Sequence, residues 1–148
     1  LFREAMRLAL LVAMLASACL AVPTIEVNFR VYGNLTCSNT KQFNAYVNLW
    51  EWENHNDDYL GGYDFENQKN SVSYNVKGKA YDGLFEHYVE PLISIEHTCG
   101  GVYTCLCKFF GDVNKDIEER LNVNLEKNDL KSCHACAVAK AMREKRKG

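Results

Sequence analysis

The chain has 148 residues, a formal net charge of −2 and charged side chains at 24%, a size that suits one domain rather than several. Its slightly acidic balance excludes a protein that grips a phosphate backbone through an overall basic surface. With only two prolines and nine glycines, and no segment repeating at a fixed period, it is neither a low-complexity linker nor a fibrous array.

Residues 7–21 open the pattern. Arg7 precedes an apolar run that closes on small side chains, Ser17, Ala18, Cys19 and Ala21 among them, the build of a secretory signal peptide cut after Ala21. The run falls short of the roughly 20 apolar residues a spanning helix needs, and Pro23 stops its continuation. The expected organisation is a signal peptide at 1–21, a β-sandwich domain at 22–127 and a Cys-containing basic tail at 128–148. No transmembrane segment is expected once the signal is removed, and the protein is expected outside the cell.

Export changes the meaning of the cysteines. Of seven, Cys19 leaves with the signal, and Cys37, Cys99, Cys105, Cys107, Cys133 and Cys136 remain. An even number in an oxidising compartment reads as disulfides. Six cysteines can pair in many ways, and spacing does not choose among them.

From residue 25 onward the apolar positions recur every second residue, as in a half-buried strand. Ile25, Val27, Phe29, Val31, Leu35 and Cys37 share one face, with Glu26, Asn28, Arg30, Asn34 and Thr36 between them. Five further strands follow the same rule: Val47 and Leu49 against Tyr46 and Trp50; Val72, Tyr74 and Val76; Val89, Pro91, Ile93, Ile95, His97 and Cys99; Cys105, Cys107 and Phe109; and Leu121, Val123 and Leu125. Gly33, Gly61-Gly62, Gly100-Gly101 and Gly111-Asp112 read as breakers between them. Glu118 to Leu121 could turn as a helix, but the alternation at 121–125 favours a strand. Six strands without strand–helix alternation predict an all-β, antiparallel, immunoglobulin-like sandwich. Beyond Asp129 the Ala-rich composition predicts a short C-terminal helix tied down by Cys133 and Cys136.

Several side chains stand out for chemistry. Asn34-Leu35-Thr36 is an N-glycosylation sequon on the polar face of the first strand, so Asn34 should be reachable. The run from Glu51 to Asp58 gathers carboxylates and amides beside Trp50, Trp52, Tyr59 and Tyr63. Oxygen ligands of that kind suit calcium, but the spacing is not that of an EF-hand and no metal is assigned. The same residues make Trp50, Trp52, Asp57, Asp58 and Tyr59 the candidate ligand contacts, together with the turn at Gly100-Gly101, because loops at the ends of sandwiches carry recognition.

His97 falls on the apolar face of its strand and reads as a structural histidine that needs a hydrogen-bond partner. Cys133-His134-Ala135-Cys136 has the spacing of a redox pair or half a zinc site. Outside the cell it reads instead as structural disulfide, with Cys105 or Cys107 as partners. Those two project from the same face of one strand, so each should pair elsewhere rather than with the other. Without Arg3, Arg7 and Glu4 the chain stands at −3; Lys140, Arg143, Lys145, Arg146 and Lys147 against Glu144 give the last twelve residues +4 and leave residues 22–136 at −7. The basic end reads as a solvated terminus.

Taken together, Val31-Tyr32-Gly33-Asn34-Leu35-Thr36-Cys37, Val47-Asn48-Leu49-Trp50-Glu51, Asp57-Asp58-Tyr59-Leu60 and Glu90-Pro91-Leu92-Ile93-Ser94-Ile95-Glu96-His97-Thr98-Cys99 resemble the nematode transthyretin-like family over about residues 25–126. Cys107, Cys133, Cys136 and the basic tail are additions to that pattern. The resemblance implies a secreted, disulfide-bonded sandwich of transthyretin type that acts as an extracellular binding or carrier module.

The enzymatic relatives of that fold, hydroxyisourate hydrolases, use paired His and Arg residues and end in Tyr-Arg-Gly-Ser. This chain has no such ending, and its four histidines are scattered. The expectation is a non-catalytic protein with no cofactor that binds an unknown extracellular ligand or cell-surface partner, nucleic acid excluded and oligomeric state open. A hydrolase of the same fold is the alternative from another class. A third reading is a secreted inhibitor or surface-bridging protein whose basic tail touches anionic lipid or glycan.

Overall fold

A computed structural model describes residues 24–38, 42–52, 57–82, 88–127 and 129–147. Its strands are β1 Ile25–Cys37, β2 Phe43–Glu51, β3 Asp58–Gln68, β4 Asn70–Asp82, β5 Pro91–His97, β6 Thr104–Phe109, β7 Ile117–Arg120, β8 Val123–Asn124 and β9 Lys131–Ser132. A 3-10 turn at Cys99–Gly101 joins β5 to β6, and one helix, α1, runs from Cys133 to Lys147. The strands form two sheets, β4-β1-β7 with β8 also on β1, and β3-β2-β5-β6-β9. The protein is an all-β sandwich with a C-terminal helix.

The odd-numbered residues of β1 do point inward, and Val27, Val31, Leu35 and Cys37 are wholly buried. On the neighbouring strand Tyr74, Val76 and Ala80 lie opposite Gly33, Val31 and Val27 and complete that sheet's inner face. The facing sheet supplies Phe43, Ala45, Val47 and Leu49 from β2, Ile93 and Ile95 from β5 and Leu106 from β6, all in one core. Side chains of this size stabilise by about 1.5–3 kcal/mol each when fully buried. Cys37, at the end of β1, is bridged to Cys99, just past β5, with the two Cα atoms 5.8 Å apart. One covalent bond thus ties the two sheets at one end.

Four features differ from the alternation-based expectation. Gly33 breaks nothing; it lies inside β1, opposite Tyr74. A Cβ there would stand 2.0 Å from the carbonyl oxygen of Leu121. Leu121 donates its N–H to the carbonyl of Tyr32 and accepts the Tyr74 hydroxyl at 2.6 Å. Burial and the charge of Glu119 raise the pKa of Tyr74, which keeps the hydroxyl a donor. A glycine is needed because the chain after β7 crosses directly over that point of β1.

Second, residues 58–68 are an edge strand rather than a loop, and Gly61-Gly62 lie within it. Edge position leaves much of both faces of β3 wet, so no alternation marks it, and the pairing with β2 shifts between Leu49 and Trp50. At Gly61 a Cβ would meet the Lys77 carbonyl oxygen at 2.6 Å, because β3 and β4, edges of different sheets, close on each other there.

Third, residues 121–125 are not one strand. β7 and β8 are separate short strands, and Glu118 to Arg120 are extended rather than helical. Both pair with β1 in parallel, so the first sheet is mixed. A parallel neighbour requires a crossover connection, and the path through the second sheet provides it. Fourth, the cysteines of β6 turn away from the core. Leu106 pairs with inward-facing Ile95, whereas Cys105 and Cys107 pair with Glu96 and Ser94 on the opposite face.

Candidate ligand groove under the C-terminal helix

The outer face of the five-stranded sheet is where the chain departs from a plain sandwich. Cys105 and Cys107 on β6 bond to Cys133 and Cys136 on α1. Two residues along a strand advance about 6.6 Å and three along a helix about 4.5 Å, close enough for two parallel bridges from one strand to one helix face. Each side therefore pairs with the other, as the common orientation of Cys105 and Cys107 requires.

The side of α1 turned to the sheet carries Cys133, Cys136, Lys140 and Arg143, the positions least exposed along the helix. It has no stripe of large apolar residues. Two disulfides and two long cations hold it instead. Lys140 lies 5.8 Å from the Trp52 ring centre and pairs with Asp57. Arg143 lies 4.9 Å from the Phe109 ring centre and pairs with Asp112 and, at 3.3 Å, with Glu90. Stems pack on the rings while heads reach carboxylates. The basic end read as solvated is docked through these two residues.

Trp52 and Phe109 stack at 4.6 Å with planes 19° apart and, with Leu92, Cys107 and Cys136, form a second small apolar cluster outside the main core. Beside it runs a groove of about 620 Å³, within the roughly 300–1,000 Å³ of small-molecule sites. Trp52, Cys107 and Phe109 make its floor, Cys136, Ala139 and Met142 its helical wall, and Leu130 the wall before β9. Lys131, Arg143 and Asp129 contribute its polar rim, and Lys108 borders it from β6 with its ammonium on the other face, paired with Glu119.

The structure divides the expected contact residues. Trp52 and Asp57 face the helix, one as floor and one as the partner of Lys140. Trp50 is on the same sheet face but turns to Tyr59, edge to face at 5.2 Å, and donates its indole N–H to Ser94 Oγ at 3.0 Å. Tyr59 and Asp58 are exposed at the start of β3, outside the groove lining. Part of the acidic run, residues 53–56, lies outside the described residues, as do the leader and its cleavage point. Phe109, Leu130, Met142 and Arg143 were missed as site residues, although the spacing Cys133, Cys136, Lys140, Arg143 already marks one helix face. No protein-family model matches this sequence, and no curated protein matches it either.

His97 closes β5 in the core, 2% exposed. Its Nδ1 accepts the N–H of Cys99 at 3.2 Å, while Nε2 is buried without a hydrogen-bond partner among the described residues. Burial lowers its pKa, so the ring is held neutral with the proton on Nε2. The histidine is absent from the groove lining. Cys37, Cys99 and Glu126 bring three potential metal donors together, but both sulfurs are consumed in a disulfide and offer no thiolate.

Asn34 is exposed on the outer face of the other sheet, where its Oδ1 accepts the Ser73 hydroxyl at 2.7 Å. The Gly100-Gly101 turn takes left-handed φ values of 83° and 80° and presents Val102 and Tyr103 to solvent. No described helix is long and apolar enough to cross a membrane.

Proposed function

We propose that this chain is a secreted, non-catalytic binding or carrier protein of transthyretin-like type, which receives its ligand in the groove between α1 and the outer face of the five-stranded sheet. The observation that carries the reading is that groove. A helix with no large apolar stripe is stapled twice over an aromatic floor, a construction the sandwich core does not need for its own stability. Three disulfides support export, since such bonds persist in oxidising compartments. The reading of residues 1–21 as a signal peptide and the exposed sequon at Asn34 agree with it.

Expression of the chain with its leader in a eukaryotic secretory host tests both halves. The protein should reach the medium carrying Cys37–Cys99, Cys105–Cys133 and Cys107–Cys136, shift in mass when N-glycans are removed, and bind the uncharged fluorophore N-phenyl-1-naphthylamine. Retention in the cell with reduced thiols would overturn secretion. A secreted, correctly bonded protein that leaves the dye dark would overturn the groove.

A further inference from the structure

Resting on the groove as binding site, we infer that its ligand is an uncharged, apolar molecule such as a long-chain alcohol, and not a fatty acid. Basic residues on the rim suggest an anion at first sight, but their charge is already spent. Lys108 pairs with Glu119, Lys140 beside the floor pairs with Asp57, and Arg143 is shared between Glu90 and Asp112. At the mouth Lys131 and Asp129 carry opposite charges.

Among the described residues these four cations face five carboxylates, so no positive charge is left over to receive an anionic headgroup. The floor offers a stacked indole and phenyl ring and disulfide sulfur, and the walls offer Leu130, Ala139 and Met142. Removing a charge from water without a matching countercharge costs far more than removing a hydroxyl. A carboxylate drawn to Arg143 would also have to displace one of two carboxylates already in place. An alcohol loses little, because Lys131 or Asp129 at the mouth can hydrogen-bond a hydroxyl without exchanging an ion pair.

Displacement of bound N-phenyl-1-naphthylamine from the secreted, disulfide-intact protein at pH 7.5 by 1-decanol and by decanoate tests the inference. Decanol should compete at least about tenfold better than decanoate, and Lys131→Ala should change decanoate competition by less than about twofold. Ala139→Trp, at an exposed position on the helical wall, should fill the groove and abolish dye binding while all three disulfides form.

Decanoate competing as well as decanol, or losing about fivefold or more on Lys131→Ala, would overturn the uncharged ligand and leave the groove standing. Dye binding that persists undiminished in Ala139→Trp would overturn the groove itself.

Discussion

The two faces of the five-stranded sheet are held by different physics. On the inner face Ala45, Val47, Leu49, Ile93 and Ile95 have no contact with solvent and meet the other sheet in one continuous core. Stabilisation there grows with apolar area and has no preferred direction. On the outer face α1 is fixed by directional bonds: two disulfides, two cations over two rings, and the carboxylates of Asp57, Glu90 and Asp112. A close-packed interface leaves no room for a guest. One held by staples can enclose apolar surface without filling it, and the groove lies on that side.

That contrast can be broken in graded steps. Replacing Cys37 and Cys99 together by Ala removes a crosslink spanning 62 positions and should cost roughly 4 kcal/mol, read as a lower urea midpoint for the whole sandwich. Replacing Cys105, Cys107, Cys133 and Cys136 should in addition act locally. The 15-residue helix is marginal in water without its tethers, so its amides should exchange at nearly unfolded rates while β1, β2 and β5 stay protected. Equal protection of helix and strands in that variant would refute the division.

Gly33→Ala should cost about 3 kcal/mol, since the new methyl would meet backbone rather than a yielding side chain. A midpoint within error of the parent would show that Leu121 can move aside. Within the core, Val47→Ala should cost about 2 kcal/mol, against less than about 0.5 kcal/mol for Met142→Ala at a position 59% exposed. The pair compares the two faces directly, and similar losses would contradict the description of the outer face.

Acid should act on the core through His97. Its folded pKa is lowered by burial, so the fold favours the neutral ring. The stability this confers is present above the unfolded value of about 6.5 and is lost as pH falls from there toward the folded pKa. His97→Leu should flatten the urea midpoint between pH 7 and 5, and an unchanged slope would exclude the residue as its source. Smallest of all, Asp57→Asn should cost less than about 0.5 kcal/mol, because the Lys140 pair is partly exposed and screened by salt. Its effect should appear as faster exchange in α1 and not as a shift of the core.

The core was legible because burial leaves a local trace. A strand with one dry face must alternate, so Ile25 to Cys37, Val72 to Val76 and Pro91 to His97 declare both their conformation and their inner side. β3 was not legible, because an edge strand wet on both faces has no alternation to show. Gly33 misled for a related reason. Glycine reads locally as a turn, whereas its use here depends on Leu121, 88 positions further along.

Periodicity and the even count of cysteines beyond residue 21 therefore determine that the chain makes a disulfide-bonded sandwich, and which side chains fill it. Which sulfur meets which, the parallel seat of β7 and β8 on β1, and the groove beneath α1 were decided only by tertiary structure. Alternation is enforced residue by residue on the chain itself. Partners 28 to 88 positions apart are selected by the packing of whole sheets, and single-residue patterns do not encode that.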